Sequence, residues 1–68
     1  MMTRKDYVKT AEILREGIAI SRKNWKENSP ELFARLENTM FIAEQFADFF
    51  ASDNPRFDEE KFFKAIWE

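Results

Sequence analysis

The chain lacks cysteine and histidine altogether, and these two absences exclude several kinds of chemistry. Without thiols there can be no disulfide, and nothing in the chain requires an oxidising compartment. Without imidazole or thiolate ligands, the common zinc sites and the common nucleophile–base pairs cannot be built. The only glycine, Gly17, cannot make a glycine-rich phosphate loop. We therefore expect no catalytic residue, no metal site and no cofactor in these 68 residues.

Turn-forming residues and long apolar runs are also scarce. One glycine and two prolines are too few for the many turns of a sheet protein. No run approaches the roughly 20 apolar residues of a membrane span, and the first residues have no apolar core of signal-peptide length. The expectation is a cytoplasmic, all-α protein that does not enter a membrane. Residues 1–68 make one domain with a small core, because a chain of this size buries only about 60% of its unfolded surface.

The first predicted helix covers about residues 3–27. Thr3 and Asp6 have the spacing of a short capping box, and Met2 is placed to pack against Tyr7 as a hydrophobic staple. Intervals of three and four residues mark one helical face. Its members are Tyr7, Ala11, Leu14, Ile18, Ser21 and Trp25.

The second predicted helix covers about residues 30–51. Ser29 is its N-cap and Pro30 occupies the first helical position, where a missing N–H costs nothing. Asn54 precedes a proline, which disfavours the helical conformation and ends this element. The same spacing of three and four residues marks its inner face, which consists of Phe33, Leu36, Met40, Ala43, Ala47 and Phe50.

A third, short helix is predicted at about residues 59–67. Asp58 is its N-cap, and Phe57 and Phe62 occupy the two positions of a hydrophobic staple. The stretch "DNPRFDEEKFF" is thus explained as a turn followed by a helix start, with Arg56 as its one residue without a local role.

A loop of about two residues makes the first two helices an antiparallel hairpin. Tyr7 then lies opposite Phe50, and Trp25 lies opposite Leu32 or Phe33. On one flank, basic residues of the first helix face acidic residues of the second, and these are read as exposed ion pairs of small energy. The predicted pairs are Arg15 with Glu44 and Arg22 with Glu37.

The opposite flank is apolar along most of its length. We call it the apolar strip, and it consists of Ile13, Gly17, Ile20, Thr39, Ile42, Phe46 and Phe49. We expect the third helix to pack on this strip from the Tyr7 end, and its length of roughly 14 Å is too short to cover the whole. The uncovered part is predicted to join two chains as a homodimer. The predicted interface residues are Gly17, Ile20, Leu32, Thr39 and Ile42.

Weak nucleic-acid binding is the alternative function. Basic residues form an outer edge of the first helix, and "SRKNWK" interleaves three of them with Trp25. The cationic set is Lys5, Lys9, Arg22, Lys23 and Lys26. Because Trp25 falls on the core face and residues 29–68 are acidic, a protein–protein interaction module is the first hypothesis.

Two segments carry a resemblance to a known kind of protein. They are "MTRKDYVKTAEILRE" at residues 2–16 and "FADFFASDNPRFDEEKFFKA" at residues 46–65. They resemble small helical proteins of bacteriophages and prophages, whose first residues look like RKDY-hydrophobic-AEALR and whose tail looks like ADNPRFD-x-x-RF-x-x-A. The resemblance implies a phage accessory protein that acts in the bacterial cytoplasm, where a host or phage protein could be a further partner. It implies no activity and no site.

Overall fold

The computed structural model describes residues 3–68, which form three α-helices. These are α1 (Arg4–Asn24), α2 (Pro30–Asp53) and α3 (Glu59–Trp67). The helices α1 and α2 pack as an antiparallel hairpin, and α3 packs against both, more extensively against α1. The predicted all-α architecture, a hairpin with a short third helix on one flank, is confirmed.

The three helices begin where the capping residues predict. The backbone N–H of Thr3 donates to the Asp6 carboxylate at 2.9 Å. Ser29 Oγ and Asp58 Oδ1 each accept the backbone N–H three residues further on, both at 3.1 Å. These bonds satisfy amide groups that have no partner within their helix. The predicted contact of Met2 lies outside the described residues.

Asp58→Ala is expected to lower the free energy of unfolding by about 1 kcal/mol, because the cap of α3 is lost. Urea denaturation followed by circular dichroism measures the change. Asp48→Ala is the matched control, since it removes the same charge from an exposed position inside α2. It should change stability by less than about 0.5 kcal/mol. Equal losses in the two variants would mean that the cap contributes nothing.

The turn between α1 and α2 is longer than predicted. Helix α1 ends at Asn24 rather than near residue 27, and Trp25 is extended, with φ −124° and ψ 145°. Asn28 adopts a left-handed conformation with φ 64°, which asparagine tolerates better than most residues. At the other end, α2 continues two residues beyond the predicted Ala51, to Asp53.

The core lies at the end of the hairpin away from this turn. The rings of Tyr7 and Phe50 are 4.8 Å apart, which confirms the predicted register of the hairpin. The sequence also placed Phe33 and Met40 on the inner face of the second helix. These two predictions are wrong, since Phe33 is 68% exposed and Met40 is 46% exposed. The buried core cluster consists of Ala11, Ile18, Ala43, Ala47, Phe50, Phe62 and Ile66.

Trp25 has a partner that the sequence did not predict. The guanidinium carbon of Arg35 lies 3.7 Å from the centre of the Trp25 ring. This is a cation–π contact, which holds the half-buried indole at the turn.

Helix α3 does not pack on the apolar strip, contrary to the prediction. The guanidinium of Arg15, on the basic flank of α1, donates to the backbone carbonyl of Ala65 at 3.2 Å. The strip residues Ile13 and Phe49 stay 58% and 54% exposed. Helix α3 therefore lies on the other side of the hairpin, and Arg15 does not pair with Glu44.

The size of the core side chains explains this position. Phe62 and Ile66 of α3 are buried in one cluster with Ala11, Ala43 and Ala47, whose methyl groups leave room for large side chains. At its carboxyl end α3 presents carbonyls without helical partners and with partial negative charge, and Arg15 satisfies one of them. The apolar strip has large rings and no cation at the corresponding height.

Candidate functional site: the apolar strip

The apolar strip is open to solvent along its whole length. Of the five predicted interface residues, Ile20 is 51% exposed, Ile42 is 39% exposed, Gly17 is exposed and Thr39 is half-buried. Leu32 is only 3% exposed, so this member of the predicted interface is wrong. The strip also includes Ile13, Phe46 and Phe49, which were expected to be covered by α3 and are exposed.

The shape of the chain adds a second measure of uncovered surface. It exposes 5365 Å² and measures 39 × 17 × 15 Å. A folded monomer of 8.2 kDa is expected to expose about 4,500 Å². The radius of gyration is 12.8 Å, whereas a compact domain of this length has about 11 Å. The excess of roughly 800 Å² accompanies the elongated shape of the chain.

Charged residues frame the apolar strip asymmetrically. On α2, Arg35 lies at the end of the strip near the turn and Asp53 at the opposite end, both on the face that carries Ile42. On the outer edge of α1, Lys9 lies nearer to the Asp53 end and Glu16 nearer to the Arg35 end. On each helix, a cation and a carboxylate thus lie at different positions along the axis of the hairpin.

A backbone can approach the strip closely at Gly17. A Cβ atom built there meets no atom within 4 Å, so glycine is not required by packing within the chain. A glycine inside a helix costs about 1 kcal/mol relative to alanine. No contact within the chain offsets this cost.

The five cationic residues predicted for nucleic-acid binding do not form one continuous surface. All five are exposed: Lys5, Lys9, Arg22, Lys23 and Lys26. At about 100° per residue they spread around α1 and into the turn, with Glu12 and Glu16 among them. Trp25, the aromatic residue of this segment, has one ring face covered by Arg35 and cannot stack a base there.

The structure has two further surface features that the sequence did not predict. Phe33, Met40 and Phe41 of α2 are large apolar side chains that are exposed. A cleft of about 390 Å³ lies between the start of α1 and the start of α3, with Tyr7 and Phe57 among its walls. Arg56, which had no local role in the sequence, lines this cleft.

Within residues 3–68, no group of three or more acidic side chains is arranged to hold a metal ion.

Over the same described residues, none of the helices combines the length and the apolar character needed to cross a bilayer.

The fold and the strip together define a class: a short helical hairpin with a third helix on one side and a large uncovered apolar face on the other. Comparison with family models, with curated proteins and with solved structures finds no match for the chain. The function is therefore inferred from the strip itself.

Proposed function

We propose that this chain is a non-enzymatic protein–protein interaction module that forms a homodimer through the apolar strip. The observation that carries the proposal is the exposure of Ile13, Ile20, Ile42, Phe46 and Phe49 on one side of the hairpin. Large exposed apolar surfaces on small proteins mark interaction sites. A second copy is the simplest partner, because two-fold symmetry lets one surface cover itself.

The dimensions of the strip suit such an interface. Helix α1 has 21 residues and is about 30 Å long, and two packed helices are about 20 Å wide. Pairing of this face covers on the order of 600 Å² per chain, which reaches the size of a stable interface. Burying its isoleucine and phenylalanine side chains adds about 25 cal/mol per Å² to a core that is otherwise small.

The cellular setting follows from the phage-like segments at residues 2–16 and 46–65. We propose an accessory protein of a bacteriophage or prophage that acts in the cytoplasm of the bacterial host. In this setting, a host or phage protein could bind the dimer through surfaces that the strip leaves free, such as the exposed Phe33 and Phe41.

Light scattering during size-exclusion chromatography tests the homodimer. At micromolar concentration we expect twice the chain mass of 8.2 kDa. The melting temperature should rise with protein concentration, because association stabilises only the folded state. A monomer mass and a constant melting temperature up to the highest micromolar concentrations would overturn the proposal.

A further inference from the structure

We infer that the cleft between the start of α1 and the start of α3 binds a small aromatic acid, meaning an aromatic ring that carries a carboxylate or a phosphate group. Basic side chains at the cleft hold the acidic group, and aromatic side chains of its walls hold the ring. None of the residues that line the cleft belongs to the apolar strip. The inference therefore goes beyond the proposed homodimer and does not depend on it.

The basic side chains come from three separate segments of the chain. Arg4 begins α1, Arg56 lies in the turn after α2, and Lys61 lies in the first turn of α3. All three are exposed, and within residues 3–68 their side chains make no ion pair and no hydrogen bond. Asp58 is the one acidic residue that lines the cleft, and its Oδ1 accepts the backbone N–H of Lys61. Three cations and one carboxylate leave the cleft two positive charges in surplus, although the chain has a net charge of −2.

The turn that carries Arg56 fixes its backbone and leaves its side chain available. The N–H of Phe57 donates to the backbone carbonyl of Asn54 at 2.9 Å, and the N–H of Arg56 donates to Asn54 Oδ1 at 3.0 Å. Pro55 restricts the backbone between these residues. Neither hydrogen bond uses the guanidinium, whose planar fork can donate to two oxygens of a carboxylate or a phosphate at once.

The walls of the cleft include three aromatic rings that are already held in place. Tyr7 and Phe57 lie 4.7 Å apart at an angle of 68°, and Phe57 and Phe62 lie 5.5 Å apart. Phe62 is only 4% exposed and belongs to the core, so the wall that it supports is rigid. A further ring packs favourably on such rings in an edge-to-face or offset arrangement.

The size of the cleft limits the ligand to a small molecule. Its volume of about 390 Å³ lies near the lower end of the range for ligand pockets, roughly 300–1,000 Å³. Such pockets combine apolar walls with a few convergent polar groups. Here the walls are aromatic and the convergent groups are cations, which favours an aromatic acid over a neutral aromatic compound.

Nuclear magnetic resonance of the uniformly ¹⁵N-labelled chain tests the inference. The probes are 3-phenylpropionate and phenyl phosphate, added at constant ionic strength. We expect saturable shifts of the backbone amides of Arg56, Phe57 and Lys61, with a dissociation constant on the order of 1 mM for at least one probe. The neutral 3-phenylpropanamide should bind at least about tenfold more weakly, because it cannot pair with the cations.

Two variants test the role of the cleft residues. Arg56→Gln keeps both hydrogen bonds of the turn and should weaken binding of the acid about tenfold. Its control is Arg22→Gln, which removes the same charge from an exposed position of α1 outside the cleft and should leave the affinity within about twofold. Val8→Asp introduces a carboxylate into the lining of the cleft and should also weaken binding at least about tenfold.

The outcomes are distinct from those of the homodimer test. Saturable shifts at the cleft that weaken in Arg56→Gln and Val8→Asp but not in Arg22→Gln support the inference. It is overturned if neither acid gives saturable shifts, if the neutral amide binds equally well, or if Arg56→Gln binds like the parent. It is also overturned if the shifts centre on Ile20 and Ile42 of the apolar strip.

Discussion

Phe50→Ala is expected to lower the free energy of unfolding by about 4 kcal/mol. The Phe50 side chain has no exposed surface, and its ring lies within 6 Å of the rings of Tyr7, Phe57 and Phe62. It therefore contacts all three helices or their connections. A chain of 68 residues has a total stability of roughly 3–10 kcal/mol. The variant should thus be largely unfolded or close to it at 25 °C.

Circular dichroism during urea denaturation measures this effect. Phe41→Ala is the matched control, because it makes the same change on the same helix at a position that is 61% exposed. It should change stability by no more than about 0.5 kcal/mol. If Phe50→Ala unfolded cooperatively at nearly the urea concentration of the parent, the core would not be centred on this ring.

Ile20→Asp is expected to weaken dimerisation at least about a hundredfold, because two carboxylates would lose their water in the interface without gaining partners. The dimer dissociation constant from analytical ultracentrifugation measures the effect.

Val8→Asp provides the control for Ile20→Asp. Val8 is 54% exposed, nearly the same as Ile20, and lies on the opposite side of α1, beside the cleft rather than on the apolar strip. Its substitution by aspartate should leave the dissociation constant within about threefold of the parent. If Ile20→Asp dimerised as tightly as the parent, or if Val8→Asp weakened the dimer equally, the strip would not be the interface.

Position 17 of α1 illustrates a limit of reading a surface from the sequence. The sequence indicates that Gly17 allows close approach, and the structure shows that nothing within the chain uses this space. The exposure of Ile20 and Ile42 is likewise decided by the tertiary structure.

Local features of this protein could be predicted from the sequence. The caps at Thr3, Ser29 and Asp58 and the staple of Phe57 with Phe62, whose rings are 5.5 Å apart, involve residues at most five positions apart. Their geometry is set by the helix itself. The register of the hairpin could also be predicted, because a short connection leaves the two helices little freedom.

The tertiary structure alone decided which side of the hairpin α3 covers. Hydrophobicity alone favours the apolar strip, because the flank that α3 covers carries charged residues such as Arg15. The choice depends on whether Phe62 and Ile66 fit over small side chains such as Ala47 and on whether a cation reaches the end of α3, as Arg15 does. These conditions join residues that are up to 50 positions apart. They also leave the apolar strip uncovered, because packing energy depends on shape and on partners in space as well as on the apolar character of each position.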